Sequence, residues 1–102
     1  MIRGTTPTLQ FILPFDTEKL KEGYITITQS GIVTLEKALA DCSCKGKVVR
    51  VRLTQEETLK LMEGKRRGVT ELQLRVLTKN DEALASDIIQ LDIGGILKEG
   101  VI

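Results

Sequence analysis

The sequence predicts an all-β protein, an antiparallel β-sandwich of about six or seven short strands with one short helical turn. Several segments alternate apolar and polar residues with a period of two, as strands with one buried face do. Turn signals recur roughly every ten residues, and no connection is long enough for the crossover helix of a parallel pair. A closed barrel is the alternative arrangement. The chain, residues 1–102, is predicted to form a single domain.

The first predicted strand covers residues 8–15. Pro7 and Pro14 bound it, and proline cannot donate a hydrogen bond to a strand ladder, so the strand is predicted to lie at a sheet edge. Its inward face should hold Leu9, Phe11, Leu13 and Phe15.

A hairpin is predicted next. Residues 16–23 are polar and indicate a loop or a single helical turn. Residues 24–29 are β-branched and aromatic, which favours a strand, and Ser30-Gly31 forms a turn dipeptide. The partner strand is predicted over residues 32–40, with one face carrying Val33 and Leu35.

The clearest half-buried strand covers residues 48–53, after a turn at Lys45-Gly46-Lys47. Arg50 and Arg52 should face water. The inward residues are predicted to be Val49, Val51 and Leu53.

The one predicted helix begins with a capping box, in which Thr54 and Glu57 satisfy each other's backbone amides. Gly64 should end this helix early. Glu56 and Glu57 could also be taken as a catalytic carboxylate pair, but neighbouring helical positions do not face each other, so capping is the preferred interpretation. The residues predicted to anchor the helix are Leu59, Leu61 and Met62.

Two further strands are predicted, over residues 71–77 and 83–93, with a tight reversal at Asn80-Asp81 between them. The first should bury Leu72, Leu74 and Val76, and the second Ile89, Leu91 and Ile93. Gly94-Gly95 should end the last strand. Residues 96–102 then form a short apolar segment.

Charge and composition argue against several classes of function. Fifteen basic and fourteen acidic residues give a net charge of +1, so no broad nucleic-acid surface is expected. No apolar run approaches the ~20 residues of a membrane span, and no secretory signal is visible, which favours the cytoplasm. Histidine is absent, as are the common nucleotide and nucleophile motifs. We therefore expect no enzyme, no cofactor, no metal and no small-molecule substrate.

Cys42 and Cys44 form a C-x-C pair. Residues i and i+2 of a strand lie too far apart for a relaxed disulfide, and two thiolates without histidine are too few for a closed zinc site. Small structural thiols are the preferred interpretation, with an intermolecular contact as the alternative.

Two segments are candidates for contacts with a protein partner. The basic cluster Lys65, Arg66 and Arg67 lacks an adjacent aromatic residue for base stacking, so a solvated loop or an electrostatic protein contact is expected. The apolar segment can either fold back over its own sheet or dock on a neighbouring subunit. The predicted partner-contact residues are Ile96, Leu97, Val101, Ile102, Lys65, Arg66 and Arg67.

The sequence also resembles small prophage-encoded proteins of gut Firmicutes and the N-terminal immunoglobulin-like domain of siphophage baseplate upper proteins. The resembling stretches are RGTTPT (3–8), LPF (13–15), LTQEETL (53–59), LQLRVL (72–77) and EALASDII (82–89). Lys65–Arg67 lengthens one connection relative to that pattern, and Asn80-Asp81-Glu82 replaces its usual Asp-Gly turn.

The resemblance implies an immunoglobulin-like sandwich that works as a structural or assembly protein in the tail or baseplate region of a bacteriophage. Such a protein would dock on copies of itself or on other tail components, in the bacterial host cytoplasm during assembly and in the virion tail. The resemblance implies no catalytic site. The alternative function is a monomeric prophage module that regulates or inhibits one host protein. A small-molecule-binding barrel is the third, and few residues are available to line its pocket.

Overall fold

Eight strands and one short helix make up the described part of the chain, residues 1–63 and 68–102 of a computed structural model. A 3-10 turn lies at Thr17–Lys19 and another at Leu39–Asp41. The helix is α1 (Gln55–Leu59). The strands are β1 (Thr8–Ile12), β2 (Leu20–Gln29), β3 (Ile32–Ala38), β4 (Ser43–Lys45), β5 (Val48–Arg52), β6 (Thr70–Thr78), β7 (Ala83–Ala85) and β8 (Ile89–Leu91).

The strands form two antiparallel sheets. The smaller has the order β1-β5-β4, and the larger has the order β3-β2-β6 with β7 and β8 pairing along the far edge of β6. The predicted all-β antiparallel sandwich is therefore confirmed, with eight short strands in place of six or seven. β1 lies at an edge of its sheet, as its flanking prolines predicted.

The two sheets share one aliphatic core. The alternation read from the sequence is confirmed in β5 and β6, whose inward residues are buried. The buried apolar residues are Leu20, Ile25, Ile27, Leu35, Val49, Val51, Leu53, Leu61, Leu72, Leu74, Val76 and Ile93. Since aliphatic side chains from both sheets meet there, burial of apolar surface is the main force holding the sheets together.

β2 begins earlier than predicted, at Leu20. A bulge between Leu20 and Glu22 brings the polar start of the strand into register with β6. Gly23 lies opposite Val76, and a Cβ atom at this position would be only 2.9 Å from a methyl carbon of Val76. The polar sequence concealed this strand because Lys21 and Glu22, which follow the buried Leu20, are exposed, and pairing with β6 fixes this part of the strand.

Three other strands differ from the prediction, the first of them β1, which ends at Ile12 and not at residue 15. β3 ends at Ala38, and a bulge beside Ile27 leaves Val33 exposed, so Val33 does not share a buried face with Leu35. The predicted last strand is broken into β7 and β8, because the Ser86 hydroxyl accepts from the amide of Leu74 in place of a regular ladder. Ile89 is consequently exposed, whereas Ile93 is buried as predicted.

Candidate functional site

The short helix α1 is fixed at its first turn by the predicted capping box. The Thr54 hydroxyl accepts from the Glu57 amide at 3.1 Å, and the Glu57 carboxylate accepts from the Thr54 amide at 2.9 Å. The same carboxylate lies 2.8 Å from the ammonium of Lys37 on the edge strand β3. Burial alone would raise the pKa of Glu57, but the hydrogen bonds from Lys37 and Thr54 outweigh it and lower the pKa. The salt bridge between Lys37 and Glu57 therefore connects α1 to the larger sheet.

The chain after α1 is held by a buried glutamine. The Gln29 side chain, 1% exposed, donates to the Met62 carbonyl at 2.7 Å and accepts from the Met62 amide at 3.0 Å. It also donates to the Thr70 hydroxyl at 3.1 Å. Of the three predicted apolar anchors, Leu61 is fully buried and Leu59 is half-buried, whereas the Met62 side chain is exposed. α1 ends at Leu59, ahead of the predicted stop at Gly64, which lies outside the described residues.

Arg3 connects three parts of the chain that are far apart in sequence. Its guanidinium donates to the carbonyls of Leu59 and Leu61 at the end of α1. A third donor lies 2.8 Å from the carboxylate of Glu99, in the apolar segment. The Arg3 side chain is only 14% exposed, so its cation is largely withdrawn from water, and each of its three guanidinium nitrogens donates one hydrogen bond.

The apolar segment, residues 96–102, has its backbone fixed at both ends. Before it, Gly94 bridges Ile2 in parallel. The Ile96 side chain is half-buried and packs closely on Gly4. A Cβ atom added to Gly4 would lie 3.0 Å from the Cδ1 atom of Ile96. At the other end, the Ile102 amide donates to Gln55 at 2.8 Å and its carbonyl accepts from the same amide side chain at 3.2 Å. The segment thus folds back on its own chain.

Folding back does not cover the apolar side chains of this segment. Leu97 is 107% exposed, Ile102 93% and Val101 53%. The contacts that hold the segment are a salt bridge, backbone hydrogen bonds and the half-buried Ile96. Three of the predicted contact residues, Leu97, Val101 and Ile102, therefore face water. The fourth, Ile96, is half-buried and helps to hold the segment against the rest of the chain.

A second candidate surface is concave and lies at the end of β6, beside the turn that follows Thr78. We call it the end cleft. Its volume is about 550 Å³. Phe15 and Leu84 supply apolar surface, and two acidic and two basic side chains also line the cleft. The lining residues are Phe15, Glu18, Lys19, Thr78, Lys79, Asn80, Glu82 and Leu84.

Two further sets of candidate residues were predicted from the sequence. Lys65, Arg66 and Arg67 lie outside the described residues. Cys42 and Cys44 are both free thiols, the first half-buried and the second exposed on β4. Burial raises the pKa of both thiols, and for Cys42 the neighbouring Cys44 raises it further. At neutral pH both are therefore held in the protonated, less nucleophilic form.

Across residues 1–63 and 68–102, the structure contains no cluster of three or more acidic or cysteine side chains suited to a metal ion. Within the same ranges, no helix has the length and apolar character needed to cross a membrane.

No protein-family model matches the chain, and searches of curated proteins and of solved structures also find no match. The fold and the site therefore define the protein by geometry alone. It belongs to the class of small all-β proteins with two antiparallel sheets, and it carries an ordered segment whose apolar side chains face water.

Three residues that build this site were not predicted from the sequence: Arg3, Gln29 and Gln55. Only Gln29 left a signal, because it follows Ile25 and Ile27 at the inward positions of β2. A polar residue in that series must find partners inside the protein. The partners of Arg3 and Gln55 are more than 45 residues away in sequence, so no local pattern reveals them.

Proposed function

We propose that this protein is a non-enzymatic assembly protein that acts by docking on other proteins through its apolar segment. The observation that carries the proposal is the exposure of Leu97 and Ile102 on a backbone fixed by Arg3 and Gln55. A surface whose backbone is already ordered loses less conformational entropy when a partner covers it.

The energetics of the exposed side chains support the same function. Each Å² of apolar surface moved out of water contributes roughly 25 cal/mol, from which the entropic cost of association is subtracted. Leu97 and Ile102 gain nothing of this kind in the isolated chain, because they stand in solvent. Burial under a partner would recover that free energy, and the fully buried centre of an interface is more apolar than the rest of a protein surface.

The resemblance to prophage-encoded proteins supports a particular setting, the tail or baseplate region of a bacteriophage, with assembly in the host cytoplasm. The alternative function keeps the same surface but uses it differently. In that case a monomer would bind one host protein as a regulator or inhibitor. Flanking tail genes would favour assembly, and flanking lysogeny-control genes would favour regulation.

The test uses two matched double variants. Leu97→Ser with Ile102→Ser removes the exposed apolar side chains but keeps the backbone contacts to Gln55. Val33→Ser with Ile88→Ser removes two side chains of similar type, 57% and 58% exposed, elsewhere on the surface. Sedimentation velocity is measured for each chain alone and mixed with the purified products of neighbouring genes.

Docking through the apolar segment predicts a complex that weakens at least about tenfold in the first variant, since interface anchors typically contribute more than ~1 kcal/mol each. The control variant should bind like the unmodified chain. Equal binding by both variants, or no complex in any mixture, contradicts the proposal.

A further inference from the structure

We propose that the end cleft receives the apolar segment of a second copy of this chain, so that copies associate head to tail. The inference rests on the proposed function, because it names the partner of the same docking segment. It is carried by the positions of the two surfaces, by their apolar content and by their charges.

The two surfaces lie at opposite ends of the molecule. Gln29 links Met62, just after α1, to Thr70 at the start of β6. The apolar segment is anchored on this α1 end by Arg3 and Gln55. The end cleft lies at the other end of β6, around Thr78. Nine strand residues separate the two ends, which corresponds to about 30 Å along a chain whose longest dimension is 46 Å.

This arrangement prevents the segment from filling the cleft of its own chain, because its backbone is tied at the far end. A second copy displaced along the direction of β6 brings segment and cleft together. Such a contact joins two different surfaces, so it is heterologous and leaves one free segment and one free cleft on the growing assembly.

The chemistry of the two surfaces is complementary. Phe15 and Leu84 offer apolar surface in the cleft, matching Leu97 and Ile102 of the segment. The volume of about 550 Å³ is within the ~300–1,000 Å³ range of pockets that enclose a ligand.

Two acidic and two basic side chains line the cleft, and the acidic ones offer a charge contact to the same pairing. Within residues 1–63 and 68–102, none of the charged side chains around the cleft forms an ion pair, and neither does Lys98 of the segment. Glu82 and Glu18 are thus available to Lys98, whereas Glu99 is already bound to Arg3. The charged cleft residues are Glu18, Lys19, Lys79 and Glu82.

A mixing experiment tests the proposal. The segment variant carries Leu97→Ser and Ile102→Ser and keeps an intact cleft. The cleft variant carries Glu82→Lys and Leu84→Ser and keeps an intact segment. Sedimentation velocity and light scattering are recorded for the unmodified chain, for each variant and for an equal mixture, after melting curves show that each variant is folded.

The unmodified chain should form assemblies whose mass rises with concentration above the 11.3 kDa of one chain. Each variant alone should remain a monomer. The mixture should form a complex of two chains and nothing larger, because only one intact segment and one intact cleft can meet. The Val33→Ser and Ile88→Ser control should assemble like the unmodified chain.

A charge exchange provides a second measurement that does not alter the apolar surface. Glu82→Lys alone should weaken assembly, and adding Lys98→Glu to the same chain should restore it. Failure of the mixed variants to pair, together with failure of this rescue, overturns the head-to-tail contact.

The two proposals fail separately. A chain that stays monomeric at all concentrations, yet binds a neighbouring gene product in a manner that depends on Leu97, overturns the head-to-tail contact and retains docking through the segment. A chain that binds neither itself nor any neighbouring product contradicts both.

Discussion

The side chain of Gln29 forms both hydrogen bonds that the backbone of Met62 offers, with its amide nitrogen on the carbonyl and its amide oxygen on the N–H group. This contact joins the end of β2 to the chain leaving α1, 33 residues later. Met62 does not lie in a strand, so the Gln29 side chain provides the hydrogen bonds that a neighbouring strand would otherwise provide. The contact therefore fixes the position of α1, on which the apolar segment is anchored.

Gln29→Leu is expected to reduce the free energy of unfolding by ~2–4 kcal/mol, because two partly buried backbone groups lose their partners while the apolar replacement cannot substitute for them. Urea titration followed by circular dichroism measures the change. Gln90→Leu, at an exposed position of β8, is the control and should change stability by ~0.5 kcal/mol or less. Similar losses in both variants would show that the Met62 contact contributes nothing specific.

Substituting leucine by alanine at a core position and at a position of the apolar segment should change the free energy of unfolding by very different amounts. Leu74→Ala leaves a cavity between the sheets, since Leu74 is 3% exposed, and should cost ~2–5 kcal/mol. Leu97→Ala removes a side chain that stands in solvent and should cost ~0.5 kcal/mol or less. Denaturant titration at a concentration where the chain is monomeric provides both values. A large loss for Leu97→Ala would place this side chain in the fold and not in an interface.

The ion pair between Lys37 and Glu57 predicts a specific pH dependence. The folded chain lowers the pKa of Glu57, so its stabilising effect is present above the unfolded-state pKa of about 4.3 and is lost as the pH falls through the lower folded pKa. The pKa of Lys37 is raised, chiefly by the hydrogen bond to Glu57, so the effect of the pair persists up to and beyond about pH 10.4.

Glu57→Gln removes the charge while keeping an oxygen that can cap α1. It should destabilise the chain by about 1 kcal/mol at pH 7, and the difference from the unmodified chain should shrink below about pH 4. Glu56→Gln, at the exposed neighbouring position, removes a charge that makes no salt bridge with Lys37, and this matched control should lose less stability at pH 7. Thermal melts between pH 3 and pH 9 make the comparison, and a constant difference across that range would contradict the assignment.

The cysteines should behave as two separate thiols. Counting under denaturing, non-reducing conditions should find two thiols per chain, because the structure leaves both free. In the folded protein at pH 8, a thiol reagent should modify exposed Cys44 before half-buried Cys42, as mass spectrometry of Cys42→Ser and Cys44→Ser chains can show. A count of zero, with the mass of one chain, would reveal an internal disulfide.

Local sequence was sufficient wherever one face of a strand is buried. The alternation in β5 and β6 predicted their inward residues, and the capping box predicted the start of α1. The Ser30-Gly31 turn was also predicted, and both residues adopt the positive φ angles of a hairpin. In β5 and β6 the alternation reflects burial of one face of the strand. At the start of α1 the capping residues form hydrogen bonds with backbone groups only three residues away.

The sequence failed where pairing was decided by distant residues. The polar start of β2 became a strand because β6 lies beside it, and the predicted last strand broke because Ser86 bonds to Leu74. β4 was missed because its three residues are all exposed and leave no burial pattern.

For the candidate site, the sequence by itself determined that residues 96–102 are apolar and that the chain has no histidine. Only the tertiary structure decided that this segment folds back and still exposes Leu97 and Ile102. The reason is that Arg3 and Gln55 hold its charged and backbone groups, so the apolar side chains contribute little to its position. Hydrogen bonds across 47 to 96 residues have no periodic signature, because they depend on how the two sheets bring the ends of the chain together.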